Sequence, residues 1–259
     1  MSIIQGTAKS GGSTGEFYDY PIGDSLRFDG SSYLSRTFTN GNQTSSFTFS
    51  VWVKKSSLEE SLALLGAYYT QGSAYRVTFF GFSGTDDTVD YWQHNNDSGF
   101  NFNISSTALT RDISGWYHIL LSHNRTNNTS SLYVNGDSTG YWLNTSTTSG
   151  SQAINGAFNH YLGSYVGNPG SVYGHYKGYM AEINFIDGQA LDQYFFGEFK
   201  DNIWVPYNAF STAGSGTATA SDGDTATDSY GTNGFHLDFA DSSNIGNDVS
   251  GNNNDWTVN

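Results

Sequence analysis

The chain has 259 residues, 24 acidic side chains against 10 basic, a formal charge of −14, 16% aromatic residues and no cysteine. That balance excludes binding to a phosphate backbone, which needs clustered Lys and Arg. The missing cysteine excludes a disulfide framework, Cys-ligated zinc and a thiol nucleophile.

No apolar run approaches the roughly 20 residues that cross a bilayer as a helix. The opening residues lack the apolar stretch of a signal peptide, so the expectation is a soluble protein made in a cytoplasm, without membrane insertion. Nineteen Asp against five Glu favours turns and loops over helices. The fold class this composition predicts is all-β.

Residues 1–24 are rich in Gly, Ser and Thr and carry Phe17, Tyr18 and Tyr20. They read either as a flexible arm or as an anchor that orders against a partner. From Asp24 the pattern becomes short alternating segments. Residues 25–30 and 33–38 read as two strands paired with each other. In residues 46–54, Phe47, Phe49, Val51 and Val53 share one face, and Thr48, Ser50, Trp52 and Lys54 the other.

Further strands are predicted at about 62–68, 74–82, 87–93, 99–105, 116–122 and 131–134. Asn135-Gly136 is the strongest local turn signal and predicts a hairpin returning through about 139–143. Strands resume at about 160–165 and 175–187. Residues 189–199 read as a short helix. Residues 211–234 are a low-complexity loop or linker. Residues 235–259 regain strand pattern, and either complete the sandwich or start a further module. Short strands at this spacing predict an antiparallel two-sheet sandwich over residues 25–210.

Five segments resemble, in order, the concanavalin A-like, laminin-G-like jelly roll. They are Leu26 to Leu34, Phe47 to Lys54, Ser114 to Leu121, Ser131 to Gly136, and Gly178 to Leu191. The tail, Tyr230 to Phe239 followed by Asp248 to Thr257, is similar to C-terminal extensions of structural proteins from marine and cyanobacterial phages. The resemblance implies a virion component exposed on the particle, a tail fibre, receptor-binding protein or head decoration. Such a protein is assembled in the host cytoplasm and released by lysis. It further implies a homo-oligomer, trimeric or otherwise symmetric, joined to other virion proteins through the N-terminal arm. Host surface polysaccharide is the external partner that this architecture implies.

Glycosidases of this architecture use paired carboxylates. None of the five Glu, at 16, 59, 60, 182 and 198, has the alternate spacing that places two on one sheet face. Glu182 reads as a lone structural acid and His118 as a packing residue. A Ser-His-Asp triad stays open, although no Gly-x-Ser-x-Gly elbow and no His-Glu-x-x-His occurs. The expectation is a non-enzymatic protein.

Relatives of the resembled fold place calcium at a rim, and Asp86, Asp87 and Asp90 offer the oxygen ligands that ion takes. Sugar recognition needs flat aromatic faces beside amide or carboxylate groups. The candidates are Tyr91, Trp92, His94 and Asn95, with Tyr141, Trp142 and Asn144. Alternation sends one ring of the Tyr91-Trp92 pair inward and the other outward. Adhesion to host glycans is the leading expectation. A purely architectural decoration or joining protein is the alternative, and a glycan depolymerase the third.

Overall fold

The structure is a computed structural model. It describes residues 20–41, 45–96, 101–145, 152–210 and 216–259, and for 101–102 and 140–145 the backbone. The N-terminal arm before Tyr20 and residues 211–215 lie outside the described residues.

Two antiparallel sheets pack face to face. The first has the order β1 (Leu26–Asp29), β15 (Lys177–Asp187), β3 (Phe47–Lys55), β8 (Tyr117–Asn124), β9 (Thr129–Val134) and β10 (Asp137–Ser138), with β20 (Phe235–Leu237) also pairing with β15. The second has the order β11 (Gly140–Thr145), β7 (Asn101–Ser106), β6 (Val89–Asn95), β5 (Ala74–Phe82), β4 (Leu62–Gln71), β12 (Asn159–Leu162), β2 (Leu34–Thr37) and β21 (Thr257–Val258). Three small hairpins complete the set: β13–β14 (Tyr165–Gly167 and Ser171–Tyr173), β16–β17 (Gly197–Lys200 and Ile203–Pro206) and β18–β19 (Thr217–Thr219 and Thr225–Thr227).

The core lies where period-2 alternation puts apolar side chains between the sheets. Phe47, Phe49, Val51 and Val53 of β3 face Phe80 and Phe82 of β5 and Tyr91 of β6 in one buried cluster. The predicted all-β jelly-roll sandwich is the observed fold.

Four expectations change. Strands β1 and β2 do not pair with each other: β1 joins β15, and β2 joins β12 in the opposite sheet. The Asp29 carboxylate accepts from the backbone N–H groups of Ser31 and Ser32, making a turn that carries the chain from one sheet to the other. The Asn135-Gly136 turn does close a hairpin, but only β10 returns along β9. The following β11 crosses to pair with β7.

Residues 189–199 are not a helix. A single 3-10 turn, Gln193–Phe195, is capped by Asp192 and runs into β16. The backbone carbonyls of Phe195 and Phe196 accept from Ala209 and Tyr207, so a distant segment satisfies them instead of a helix. Residues 216–234 are not a linker either. Ala218, Ala220 and Tyr230 pack with Leu120, Ile186, Phe195, Phe196 and Phe210 over the outer face of the first sheet. That cover leaves Thr48, Ser50 and Trp52 on the second face of β3 buried as well. The C-terminal strands enter both sheets, β20 beside β15 and β21 beside β2, with Trp256 in the central core.

Candidate functional site

Among the described residues the C-terminal segment covers the outer face of the first sheet, which leaves the outer face of the second as the broad strand surface able to meet a partner. On β6 the alternation is plain: Val89, Tyr91, Gln93 and Asn95 are buried, while Asp90 and Trp92 are half-buried and His94 is exposed. Trp92 stacks on Phe79 of β5, its cross-strand partner, with ring centroids 5.4 Å apart and planes inclined by 16°.

Tyr165 of β13 stands edge-on to both rings, 5.3 Å from Phe79 and 5.7 Å from Trp92. Tyr173 of β14, 44% exposed, tilts against Tyr165 at 5.8 Å. Such edge and offset contacts hold the rings in fixed planes. The β13–β14 hairpin can lie this close because β4 has glycine at position 66. A Cβ there would come within 2.6 Å of the Tyr165 Cβ and 2.7 Å of the Ser164 carbonyl oxygen.

Polar groups line the same face. Asp90 and Ser105 are cross-strand partners, as are Trp92 and Asn103. Asp90 Oδ1 accepts from Ser105 Oγ at 2.6 Å and from Thr88 Oγ1 at 3.1 Å. Burial raises the Asp90 pKa above the ordinary carboxylate value, and those two hydrogen bonds oppose it without cancelling it. The neighbouring Asp86 charge raises it further. Asn103 Oδ1 is buried and has no hydrogen-bond partner among the described residues.

Of the sequence candidates for sugar contact, Trp92 and His94 are on this outer face, with His94 edge-on to Tyr75 at 5.5 Å. Tyr91 is not. It is fully buried between the sheets, T-shaped to Phe47 and Phe80, and its hydroxyl accepts from Gln93 Nε2. Asn95 is 1% exposed and also leaves the candidate surface, since the same alternation turns it inward. The backbones of Tyr141, Trp142 and Asn144 lie in β11 opposite Ser105, Ile104 and Asn103, and their side chains lie outside the described residues. Phe79, Tyr165, Tyr173 and Asn103 were missed. Alternation along 74–82 was enough to turn Phe79 outward, but nothing local tells that the Tyr165 hairpin folds over Gly66.

Asp86, Asp87 and Asp90 do not form a calcium site. Asp87 points inward and accepts from Lys55 Nζ at 2.7 Å and from the Glu59 N–H at 3.0 Å. Lys55 is itself fully buried, donates to the Thr110 carbonyl at 3.1 Å and stands 4.6 Å from the Phe82 ring centroid. Burial opposes ionisation of Asp87, yet the Lys55 and Glu59 hydrogen bonds and the Lys55 charge hold its pKa below the usual value. A lysine ammonium thus serves as the cation. Asp86 meanwhile bonds Thr88 in its own exposed loop, and Asp90 faces the other side of the sheet.

A different trio fits better. Asp192, Asp222 and Asp224 each present a carboxylate oxygen within 4.8 Å of the others. Burial, then the charges of Asp222 and Asp224, raise the Asp192 pKa. Oxygen donors of this kind could hold a hard cation such as calcium. Asp222 and Asp224 stand two residues apart in the chain, whereas Asp192 comes to them only through the fold.

Two buried histidine constellations bear on catalysis. Ser50 Oγ and His118 Nε2 are 2.8 Å apart, the spacing of a nucleophile and its base. The polarity is wrong for that role. Trp204 Nε1–H donates to His118 Nδ1 at 3.1 Å, so in the neutral ring Nε2 carries the proton and donates to Ser50. Burial lowers the His118 pKa to about 3, which keeps the ring neutral. On β15, Glu182 Oε2 accepts from His236 Nε2 at 2.7 Å and from the Tyr20 hydroxyl at 2.8 Å. That cluster ties Tyr20 of the N-terminal arm and the C-terminal strand β20 to a single bulge in β15.

The two-sheet sandwich, with one outer face covered by the chain's own tail and the other bearing aromatic rings, has the concanavalin A-like architecture. The family model for the concanavalin A-like lectin/glucanases superfamily, laminin G type, matches residues 28–193, more than half of the chain, and the chain belongs to that family. Among solved structures it is similar to the heptameric SAP-like pentraxin from Limulus polyphemus, at 16% identity and TM-score 0.45, covering 64% of this chain and 76% of that one. It is also similar to the Ruminococcus gnavus IT-sialidase CBM40, at 16% identity and TM-score 0.45, covering 66% and 92%. A third likeness is to the LG4-5 domains of the mouse laminin alpha1 chain, at 14% identity and TM-score 0.44, covering 64% and 41%. Comparison with curated protein sequences finds no match.

Proposed function

We propose that the chain is a non-catalytic glycan-binding module displayed in several symmetric copies on a phage particle, where it adheres to host surface polysaccharide. The observation that carries the binding part is the platform of Trp92, Tyr165 and Tyr173, seated on the buried Phe79 ring, with Asp90 beside it. Flat rings suit the C–H faces of sugars, and the adjacent acceptors suit their hydroxyls. Membership of a superfamily that contains carbohydrate-binding lectins as well as glucanases supports a carbohydrate ligand. A single-site affinity that is weak adds up when many copies engage one surface.

Two features support a non-catalytic role. Hydrolysis of a glycosidic bond takes two carboxyl groups, and the eight strands of the second sheet carry one acidic residue, Asp90. The buried Ser50–His118 pair has the proton on the wrong nitrogen for a serine nucleophile. The virion setting rests on the resemblance of the tail segment to phage structural proteins.

Replacing Trp92 with alanine is expected to lower affinity for an immobilised host polysaccharide by about tenfold or more, measured at a temperature where circular dichroism shows both chains folded. Retention equal to that of the parent chain removes the platform from the reading. A glycan array and host cells that both stay blank for the parent chain leave the architectural alternative in its place. Release of oligosaccharide from the same polysaccharide establishes the depolymerase instead. Antibody labelling of intact particles under the electron microscope tests the setting, and label confined to unassembled protein excludes it.

A further inference from the structure

Resting on the glycan-binding reading of the second sheet's outer face, we infer that the site selects sugars bearing a free amino group, whose ammonium sits between the Trp92 ring and the Asp90 carboxylate. Asp90 Oδ1 is occupied by Ser105 and Thr88, and no hydrogen bond from the described residues reaches Oδ2. Oδ2 is an acceptor, so the complementary group on a ligand at this point of the face is a donor.

Spacing points to one residue of a chain molecule. Asp90 and Trp92 share a face of β6 two residues apart, which at the strand rise places them roughly 6.5 Å from one another. A sugar ring resting on the indole therefore brings a ring substituent to the carboxylate. An ammonium there meets a negative charge on one side and the face of an indole on the other, the two groups that attract a cation most strongly in a half-buried setting. Burial and the Asp86 charge already disfavour an unpaired charge on Asp90, and a bound cation relieves that directly. The eight strands of this sheet carry two basic residues, and both are engaged away from the platform. Arg36 donates to the Asp255 carbonyl and to Asn254, and Arg76 lies over the Tyr69 ring. With a net charge of −14 around it, the face disfavours sulfated and uronic glycans.

The experiment is calorimetric titration of the full chain with three hexamers of one linkage: β-1,4-glucosamine with free amines, its fully N-acetylated form, and the corresponding glucose oligomer. The free-amine oligomer is expected to bind about tenfold more tightly than the acetylated one. In Asp90→Asn, which keeps an acceptor for Ser105 and Thr88, that ratio falls to about one. In Asp241→Asn, an exposed carboxylate elsewhere, it stays at about ten. A lysine hexamer controls for bulk charge, because an acidic protein attracts any polycation, and it is expected not to displace the bound amine oligomer. Equal binding of the three sugars, a ratio that survives Asp90→Asn, or displacement by the lysine hexamer overturns the inference and leaves glycan binding standing. If none of the sugars binds, and no other glycan does, the reading beneath it fails as well.

Discussion

His118, His123 and His160 are completely shielded from solvent, and burial lowers their pKa values to about 3, about 4 and about 4. In an unfolded chain the same rings titrate near 6.5. Below that pH the unfolded state binds protons that the folded state refuses, so stability is full above about 6.5 and is lost as pH falls towards 4. The urea midpoint is expected to be level from pH 8 to 7 and to decline steadily from 6.5 to 4.5. A midpoint flat down to 4.5 would mean that these rings are not held neutral inside the fold.

At this scale the sequence was informative about direction and poor on partners. Period-2 alternation separates Tyr91 from Trp92, and it places His118 and His123 on opposite faces, one against Trp52 and the other against Phe47. It says nothing of Lys55, whose partner Asp87 is 32 residues away in the loop that joins β5 to β6 of the other sheet. Three aspartates close in sequence looked like a metal site for that reason. In the fold they serve a lysine, a turn and an outward face.

Among the elements, the turn at Asn135-Gly136 shows how local and tertiary constraints can fall on one residue. Both residues have positive φ, 51° and 82°, the backbone that a two-residue hairpin requires and that asparagine and glycine supply. Gly136 also lies against the Trp204 ring, so a Cβ there would collide with it. Gly136→Ala therefore meets a strained backbone and an overfilled contact, and is expected to cost about 1–3 kcal/mol in urea unfolding. A change within measurement error would show that the Trp204 segment moves aside freely. The first constraint was legible as a dipeptide, while the second, from a tryptophan 68 positions later, was not. Residues 189–199 failed in the other direction. Their helical appearance reflected composition alone, and their backbone carbonyls found partners in residues 207–209. Hydrogen-bond satisfaction by a distant segment overrides weak propensity.

At the scale of the molecule, the segment after residue 188 behaves as part of the sandwich. It covers one outer face, adds β20 and β21 to the two sheets, and sends Trp256 to Phe38 and Phe235 in the core. A chain ended at Gly234 is expected to lose its cooperative melt and near-ultraviolet circular dichroism and to bind a dye for exposed apolar surface. A truncated chain melting like the full one would make the tail an accessory. The same covering decides where a ligand can go. Relieved of one face, the molecule offers the other, with its rings held by the hairpin over Gly66.

The sequence by itself determined the class of fold, the side of each strand that turns inward and the tight turn, because all of these follow from a two-residue period and local backbone preference. Tertiary structure alone decided which strands pair, which outer face is buried, and that an outward tryptophan meets Tyr165 beside a half-satisfied carboxylate. Those outcomes depend on packing between segments tens to hundreds of residues apart, and no local period records which distant side chain will arrive.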